Sequence, residues 1–264
     1  MSGCCYARGP ADRGGLNDFS RGIFRMTEIR AVFFDLYGTL AGFDPPREEI
    51  QARAATKFGF KVTKQGIDAG YHMADEFLTG QNATRPVRTL NANEQWAFFS
   101  RFEQLILQGA GHDVDLATAA QVWSEVQKQE YRFALFPDVI GGLDQIRSRG
   151  LSVGAISNIN QSAEKLCDEM KLTGHVDFAV TSGETGFEKP DPRIFEAALS
   201  KARVTADEAL FVGDQLESDI YGAENAGLRP ILMDRYNGYP NYEKHPRVTD
   251  MESTMALIDE MMAE

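Results

Sequence analysis

The sequence predicts an α/β protein, a doubly wound parallel sheet carrying an inserted all-helical domain. Three observations lead there. Short apolar runs recur along the chain, helical patterns separate most of them, and about 95 residues between Gly42 and Pro137 show amphipathic helical spacing with no convincing strand. Apolar strands buried on both faces and alternating with helices are the signature of a parallel sheet covered on two sides.

The first run is Ile29-Arg30-Ala31-Val32-Phe33-Phe34-Asp35, which stops at Gly38 and reads as a buried strand followed by a loop. Similar runs lie at 151–157, 176–181, 209–214 and 230–234. Helical patterns at 140–149, 163–170, 192–201 and 220–226 alternate with them. Gly150, Gly174 and Gly227 follow helical segments, where a left-handed cap belongs. In the long insertion, Trp96, Phe99, Phe102, Leu105 and Ile106 share one helical stripe, and Val122, Val126 and Phe133 another. The expected organisation is a disordered leader over 1–26, rich in Gly, Arg and Ser, as a tag or an overlong start ahead of Met26 is. A catalytic core over 27–42 and 137–264 and a helical cap over 43–136 follow.

The chain has 264 residues, 43% of them hydrophobic and 25% charged, enough for a substantial core. Its net charge of −12 argues against nucleic acid or an anionic membrane surface as a partner, because a phosphate-tracking surface needs clustered Lys and Arg. A small anionic substrate, which meets only its local site, stays compatible. Cys4, Cys5 and Cys167 give neither a disulfide framework nor zinc spacing. No run approaches the ~20 apolar residues of a membrane span, and no signal-peptide pattern is seen, so the expected location is the cytoplasm.

In an open α/β sheet, ligands bind beyond the carboxyl ends of the strands. Four polar groups close these strands. Asp35-Leu36-Tyr37-Gly38-Thr39 ends the first; an Asp there either caps a turn or stands rigidly at the crevice as a nucleophile. Ser157-Asn158 ends the second, offering a hydroxyl and a backbone N–H to a tetrahedral anion, although the same pair is an ordinary helix cap. Glu188-Lys189-Pro190-Asp191-Pro192 holds Lys189 between prolines, where a solitary lysine is otherwise surface charge. In Gly213-Asp214-Gln215-Leu216-Glu217-Ser218-Asp219, Asp214 closes a strand and Asp219 opens the next helix. Asp35, Asp214 and Asp219 at one crevice would repel unless a cation joined them, and oxygen ligands with open water positions suit Mg²⁺.

Together, in this order and each at its own strand end, these groups resemble the four motifs of the haloacid dehalogenase-like (HAD) superfamily, across about 29–234. The insertion after the first motif resembles that family's cap of the first type, so the fold implied is a HAD-type Rossmann-like core with a helical cap. The resemblance implies a hydrolase in which Asp35 attacks the substrate to form an aspartyl ester. It makes Thr39, Ser157 and the Asn158 backbone the binders of the transferring group. Lys189 would offset the charge that develops. Mg²⁺ would be held by Asp35, the Tyr37 carbonyl, Asp214 and Asp219. A small phosphorylated metabolite is the implied substrate.

Tyr37 departs from the phosphatase pattern, which has a second Asp two residues after the nucleophile as general acid and base. Its carbonyl still serves a metal, whereas loss of acid–base help costs roughly 10²–10⁴ in rate, and the phenol is a poor substitute. Asp-x-Tyr-Gly-Thr also resembles the metal-independent 2-haloacid dehalogenases, but their fourth motif is of Ser-Ser-Asn type and they carry a Tyr where this chain has Phe195. A halide cradle would draw on Arg53, Arg85 and Arg88. A catalytically weak HAD-fold binding protein is the third reading, since fold does not dictate function.

His72, His112, His175 and His245 show no metal-ligand spacing and read as surface or structural. The Trp96-Phe98-Phe99-Phe102 group reads as cap core, with a homodimer surface as the alternative. Met251, Met255, Met261 and Met262 mark a terminal amphipathic helix, and Tyr236-Asn237-Gly238-Tyr239 a turn-rich connection.

Overall fold

The computed structural model describes residues 28–263, so the leader expected over 1–26, with Cys4 and Cys5, lies outside the described residues. The chain enters through β1 (Ala31–Phe34), whose four side chains are all buried. A short ribbon strand β2 (Ala41–Asp44) leads out to α1 (Arg47–Thr56), α2 (Lys64–Thr84), α3 (Ala92–Gly109) and α4 (Leu116–Gln127), and β3 (Arg132–Leu135) brings the chain back. Then come α5 (Val139–Ser148), β4 (Ser152–Ser157), α6 (Ala163–Glu169), β5 (Phe178–Thr181), the single turn α7 (Ser182–Thr185) and α8 (Pro192–Ala202). The chain closes with β6 (Ala209–Gly213), a π-helical turn over Leu216–Tyr221, α9 (Gly222–Asn225), β7 (Arg229–Met233), β8 (Arg247–Val248) and α10 (Met251–Ala263).

The sheet runs β5-β4-β1-β6-β7-β8, every neighbouring pair parallel. β1 is central, which explains an apolar run without alternation: one face meets Leu143 and Ile146 of α5, Leu166 of α6 and Ile258 of α10, the other Ile194 and Phe195 of α8 and Ala223 of α9. The register places Phe33 opposite Gly154. A Cβ there would lie 2.6 Å from the Phe178 ring and 3.1 Å from that of Phe33, so the two rings, 5.7 Å apart edge to face, close over a bare backbone.

The strand order reverses around β1: the chain moves outward to β4 and β5, then crosses to β6 on its other side. A crevice opens at such a switch point, and the ends of β1, β4 and β6 meet there. Gly150, Gly174 and Gly227 all have left-handed φ, at 83°, 89° and 84°.

The insertion is helical as expected, with one correction. Its two ends, expected to be strand-free, pair as the antiparallel ribbon β2–β3, running from Ala41↔Leu135 to Asp44↔Arg132. Phe133, assigned to a helical stripe, sits on this ribbon, stacked on Phe43 at 5.0 Å. Four residues of strand with no apolar alternation are too few for a period to register. The helical body itself follows the sequence. Thr63, Asn91 and Asp115 cap α2, α3 and α4 with their side chains, Asn91 in a reciprocal capping box with Glu94. Phe98 and Phe102 are buried with Ile67, Tyr71 and Ile106, whereas Trp96 is exposed. α2 and α3 cross with Gly70 against the Ile106 backbone and Gly109 against the backbone of Gly70 and Ala69.

The sequence also left out β8, two residues long. α10 buries Met251 and packs Met255 and Met261 on the core, with Met262 exposed. Among the described residues, no helix is long and apolar enough to cross a membrane.

Candidate active site

Asp35 follows the last residue of β1, and its amide donates to Val212 O of β6 at 2.8 Å, continuing the ladder one step beyond the strand. The chain then turns back on itself, with Leu40 N donating to Leu36 O and Gly38 N to Ala41 O, both at 2.8 Å. Gly38 has φ +85°, and any side chain there would run into the Asp214 carboxylate. The turn therefore carries the loop after β1 directly under the loop after β6. Thr39 is fully buried in it; its hydroxyl has no partner and its carbonyl accepts from Arg235 Nε at 2.7 Å.

Lys189 arrives from the loop before α8. Its ammonium donates to Asp35 Oδ1 at 2.5 Å and to Asp219 Oδ1 at 2.6 Å, and the three side chains are all buried. The two carboxylates outweigh burial and hold the lysine charged, its pKa raised. Asn158, just beyond β4, locks this loop down: its Oδ1 accepts from Lys189 N at 2.7 Å and its Nδ2 donates to Lys189 O at 3.0 Å. From sequence, Asn158 is expected to act through its backbone alone; its side chain is the clamp on the lysine loop. Ser157, the last residue of β4, is buried next to it.

Asp219 is oriented twice over, because its Oδ2 accepts from Asp214 N at 3.1 Å and Gln215 N at 3.0 Å. It sits in the π-helical turn, where the sequence expected an ordinary helix start, and Gly213 has no Cβ because Asp219 fills that space. Asp35, Asp214 and Asp219 each present one oxygen within 4.8 Å of the others. Burial raises the Asp35 and Asp214 carboxyls, with Lys189 pulling both down and the neighbouring carboxylates adding to the rise. Asp214 Oδ1 is buried without a hydrogen-bond partner. A cluster of buried carboxylate oxygens, one orphaned, with a single ammonium among them, fits a hard divalent cation such as Mg²⁺.

Tyr37 turns its ring away toward the ribbon, edge-on to Phe43 at 5.3 Å and Phe133 at 5.5 Å. Burial, and next the Asp75 carboxylate, push its phenol well above the usual range, so it is a weaker acid than a free tyrosine and is not a phenolate near neutral pH. A cavity of about 550 Å³ runs beside it, lined by Leu36, Phe133, Ser157 and Asn158.

The arginines considered for a halide cradle do not assemble one. Arg53, Arg85 and Arg88 are solvent-facing and paired with Glu49, Glu94 and Glu188. Two others, the buried Arg47 and the half-buried Arg235, stand at the site instead. With His72, Asp75, Tyr236 and Tyr239 they line a cavity of about 40 Å³ against Asp214. Arg47 lies over the rings of Tyr236 at 3.7 Å and Tyr71 at 4.4 Å, and pairs with Asp68 at 3.2 Å and Asp75 at 4.0 Å. His72, read as surface or structural, packs its ring on Tyr239 at 4.4 Å beside this cavity. The signal that was available is the polar spacing His72, Asp75, Thr79 on α2; the 236–239 turn gave none.

A family model described as haloacid dehalogenase-like hydrolase matches residues 29–227. A ribulose-1,5-bisphosphate 5-phosphatase of Halopiger xanaduensis is 30% identical over 77% of this chain and 84% of its own length. A phosphoserine phosphatase of Thermus thermophilus is 32% identical, covering 78% and 82%, and a glyceraldehyde 3-phosphate phosphatase of Methanothermobacter thermautotrophicus is 32% identical, covering 78% and 85%. Among solved structures, an L-2-haloacid dehalogenase superposes with TM-score 0.55 at 21% identity, covering 88% of this chain and all of that one. A HAD phosphatase from Thermococcus onnurineus gives TM-score 0.50 at 21%, covering 87% and 98%. At that identity the two structures speak for the fold alone.

Proposed function

This chain belongs to the haloacid dehalogenase-like hydrolase family, and from that premise we propose that it is a Mg²⁺-dependent phosphatase acting on a small phosphorylated metabolite through an aspartyl-phosphate intermediate. The observation that carries the reading is the trio of Asp35, Asp214 and Asp219, with an unpartnered buried oxygen on Asp214 and Lys189 bonded to the other two. A haloacid dehalogenase has no use for three converging carboxylates, which would repel its anionic substrate. The three sequence relatives described above, each named as a phosphatase, support the same choice.

In this reading the core over 27–42 and 137–264 carries the chemistry, and the helices over 43–136 form a cap of the first type that selects the substrate. Asp35 attacks phosphorus in line. The Thr39 hydroxyl, left without a protein partner, binds a phosphoryl oxygen together with Ser157 and the Asn158 backbone amide. Lys189, fixed between Asp35 and Asp219, balances the charge that builds on the equatorial oxygens. Asp35, the Tyr37 carbonyl, Asp214 and Asp219 would hold Mg²⁺, which when bound supplies the positive charge that lets a dianionic ester approach a carboxylate. Asp219 is already oriented for this by two backbone amides.

Purified protein is expected to release phosphate from a panel of phosphate monoesters with Mg²⁺ and to stop in excess chelator. Asp35→Asn should lose at least roughly 10³-fold in turnover while keeping the fold, read by circular dichroism, since the side chain is isosteric. Activity on 2-chloropropionate in chelator, with none on phosphate esters, would move the assignment to the dehalogenases. Retained turnover in Asp35→Asn would remove the nucleophile from the scheme.

A further inference from the structure

A phosphate ester that leaves as an alkoxide needs a proton, and the motif that normally brings one has Tyr37 in place of the acid. Nothing else on the loop after β1 can replace it: Leu36, Gly38 and Thr39 carry no titratable group, and the Tyr37 phenol, its ring against Phe43 and Phe133, is held well above the usual range by burial and by Asp75, so it gives up a proton poorly. The carboxyl group must come from another element, and one is present on the helical insertion.

We propose that Asp75 protonates the leaving oxygen in the first half-reaction and takes the proton from the attacking water in the second. The assignment rests on the phosphatase reading above. Its basis is placement. α2 lies across the opening of the site and is fixed there on both sides of residue 75: three residues before it the His72 ring packs on Tyr239, and four residues after it the Thr79 hydroxyl donates to Gln215 Oε1 at 3.3 Å. This helical face directs Asp75 into the cavity it shares with Asp214 and Gln215. Its side chain is 24% exposed, and among the described residues its one ion pair is with Arg47 at 4.0 Å, longer than a hydrogen bond. The carboxyl is thus held in place with its oxygens free, unlike Asp68, which takes Arg47 at 3.2 Å. Around it stand Tyr37 from the loop after β1, Arg47 from α1, Asp68, Tyr71 and His72 from α2, Asp214 after β6, and Tyr236 and Tyr239 from the turn after β7. Burial outweighs Arg47 and lifts the carboxyl to about 6, where a share of it is protonated near neutral pH.

The steps balance. An Asp35 oxygen forms a bond to phosphorus as the ester P–O bond breaks; that electron pair goes to the leaving oxygen, which takes the Asp75 proton and departs as the alcohol. Water then attacks the phosphorus of the aspartyl phosphate, the Asp75 carboxylate accepts its proton, and Asp35 returns as a carboxylate with inorganic phosphate released.

The test uses the full chain with Mg²⁺ and three probes: 4-nitrophenyl phosphate, whose leaving anion needs no proton, phenyl phosphate, and glycerol phosphate, whose alkoxide does. Wild-type kcat/KM should vary little across the three; a steep fall with leaving-group basicity overturns the assignment without any variant. Asp75→Asn should lose roughly 10²-fold or more on glycerol phosphate and under about tenfold on 4-nitrophenyl phosphate, and Asp75→Glu should recover part of the difference. Equal losses on all three probes, as from a displaced helix, or no loss, overturn it. Wild-type inactivity on every probe removes the phosphatase reading itself, and the role of Asp75 with it, and is told apart by appearing before any substitution.

Discussion

Glu103 is buried inside the helical insertion with one oxygen taking Gln51 Nε2 at 3.1 Å and the other unpartnered. Burial raises it from the ordinary 4.5 to about 7 against the pull of Gln51. The folded chain therefore binds this proton more tightly than the unfolded chain does. Its contribution to stability is complete below about pH 4.5 and is lost as pH rises toward 7, by a total on the order of 3 kcal/mol. Glu103→Gln, which keeps the shape and the bond to Gln51, should flatten the decline of melting temperature over that window and raise it above pH 7. Parallel profiles for the two proteins would show that the proton is not held there. Lys189 is the opposite case, a buried cation with both partners in place, where removing one side leaves bare charge. The difference between the two residues was not legible in the sequence: each is one charged residue in a helix or loop, and only packing decides whether a partner reaches it.

Helix by helix, what could be read was what has a period. Apolar runs gave the five long strands of the sheet, and the i, i+3, i+4 stripes gave the helical insertion, because burial repeats at those intervals. The π-helical turn after β6 and the β2–β3 ribbon were missed, since neither is long enough to show one. Also invisible was how closely α2 and α3 approach. Gly70 sits where a Cβ would be 2.6 Å from Ile106 Cα, so the helix pair depends on a hydrogen atom at that position. Gly70→Ala improves helix propensity by about 1 kcal/mol, yet overpacking at a backbone contact costs about 1–3 kcal/mol. Steric conflict wins, and chemical denaturation should show a net loss of stability. A gain would mean that the two helices slide apart freely.

For the molecule as a whole, the carboxylate trio is a cost to the folded state until a cation shares it. Binding to the folded form alone stabilises by about 2.7 kcal/mol at a hundredfold excess over Kd, so saturating Mg²⁺ should raise the melting temperature by roughly 5–10 °C for a chain of this size. Asp214→Asn should abolish that shift; an equal shift in the variant would place the ion elsewhere. The cluster around Lys189 was legible as four motifs because three of them close strands, and strand ends are what the topology collects; Lys189 itself comes from the loop between α7 and α8. The second wall of the site was not, since Arg47, Asp75, Arg235 and Tyr239 come from two helices and a turn whose place over the crevice is set by tertiary folding. The β2–β3 ribbon constrains how the helical part of that wall, with Arg47 and Asp75, can move. Because the chain goes out and returns through two strands bonded side by side, with Arg132 paired to Asp44 at their far end, neither can swivel about its own axis without dragging the other. What remains is a swing, as of a door on two pins, so the gap between Asp75 and Asp214 depends on essentially one angle.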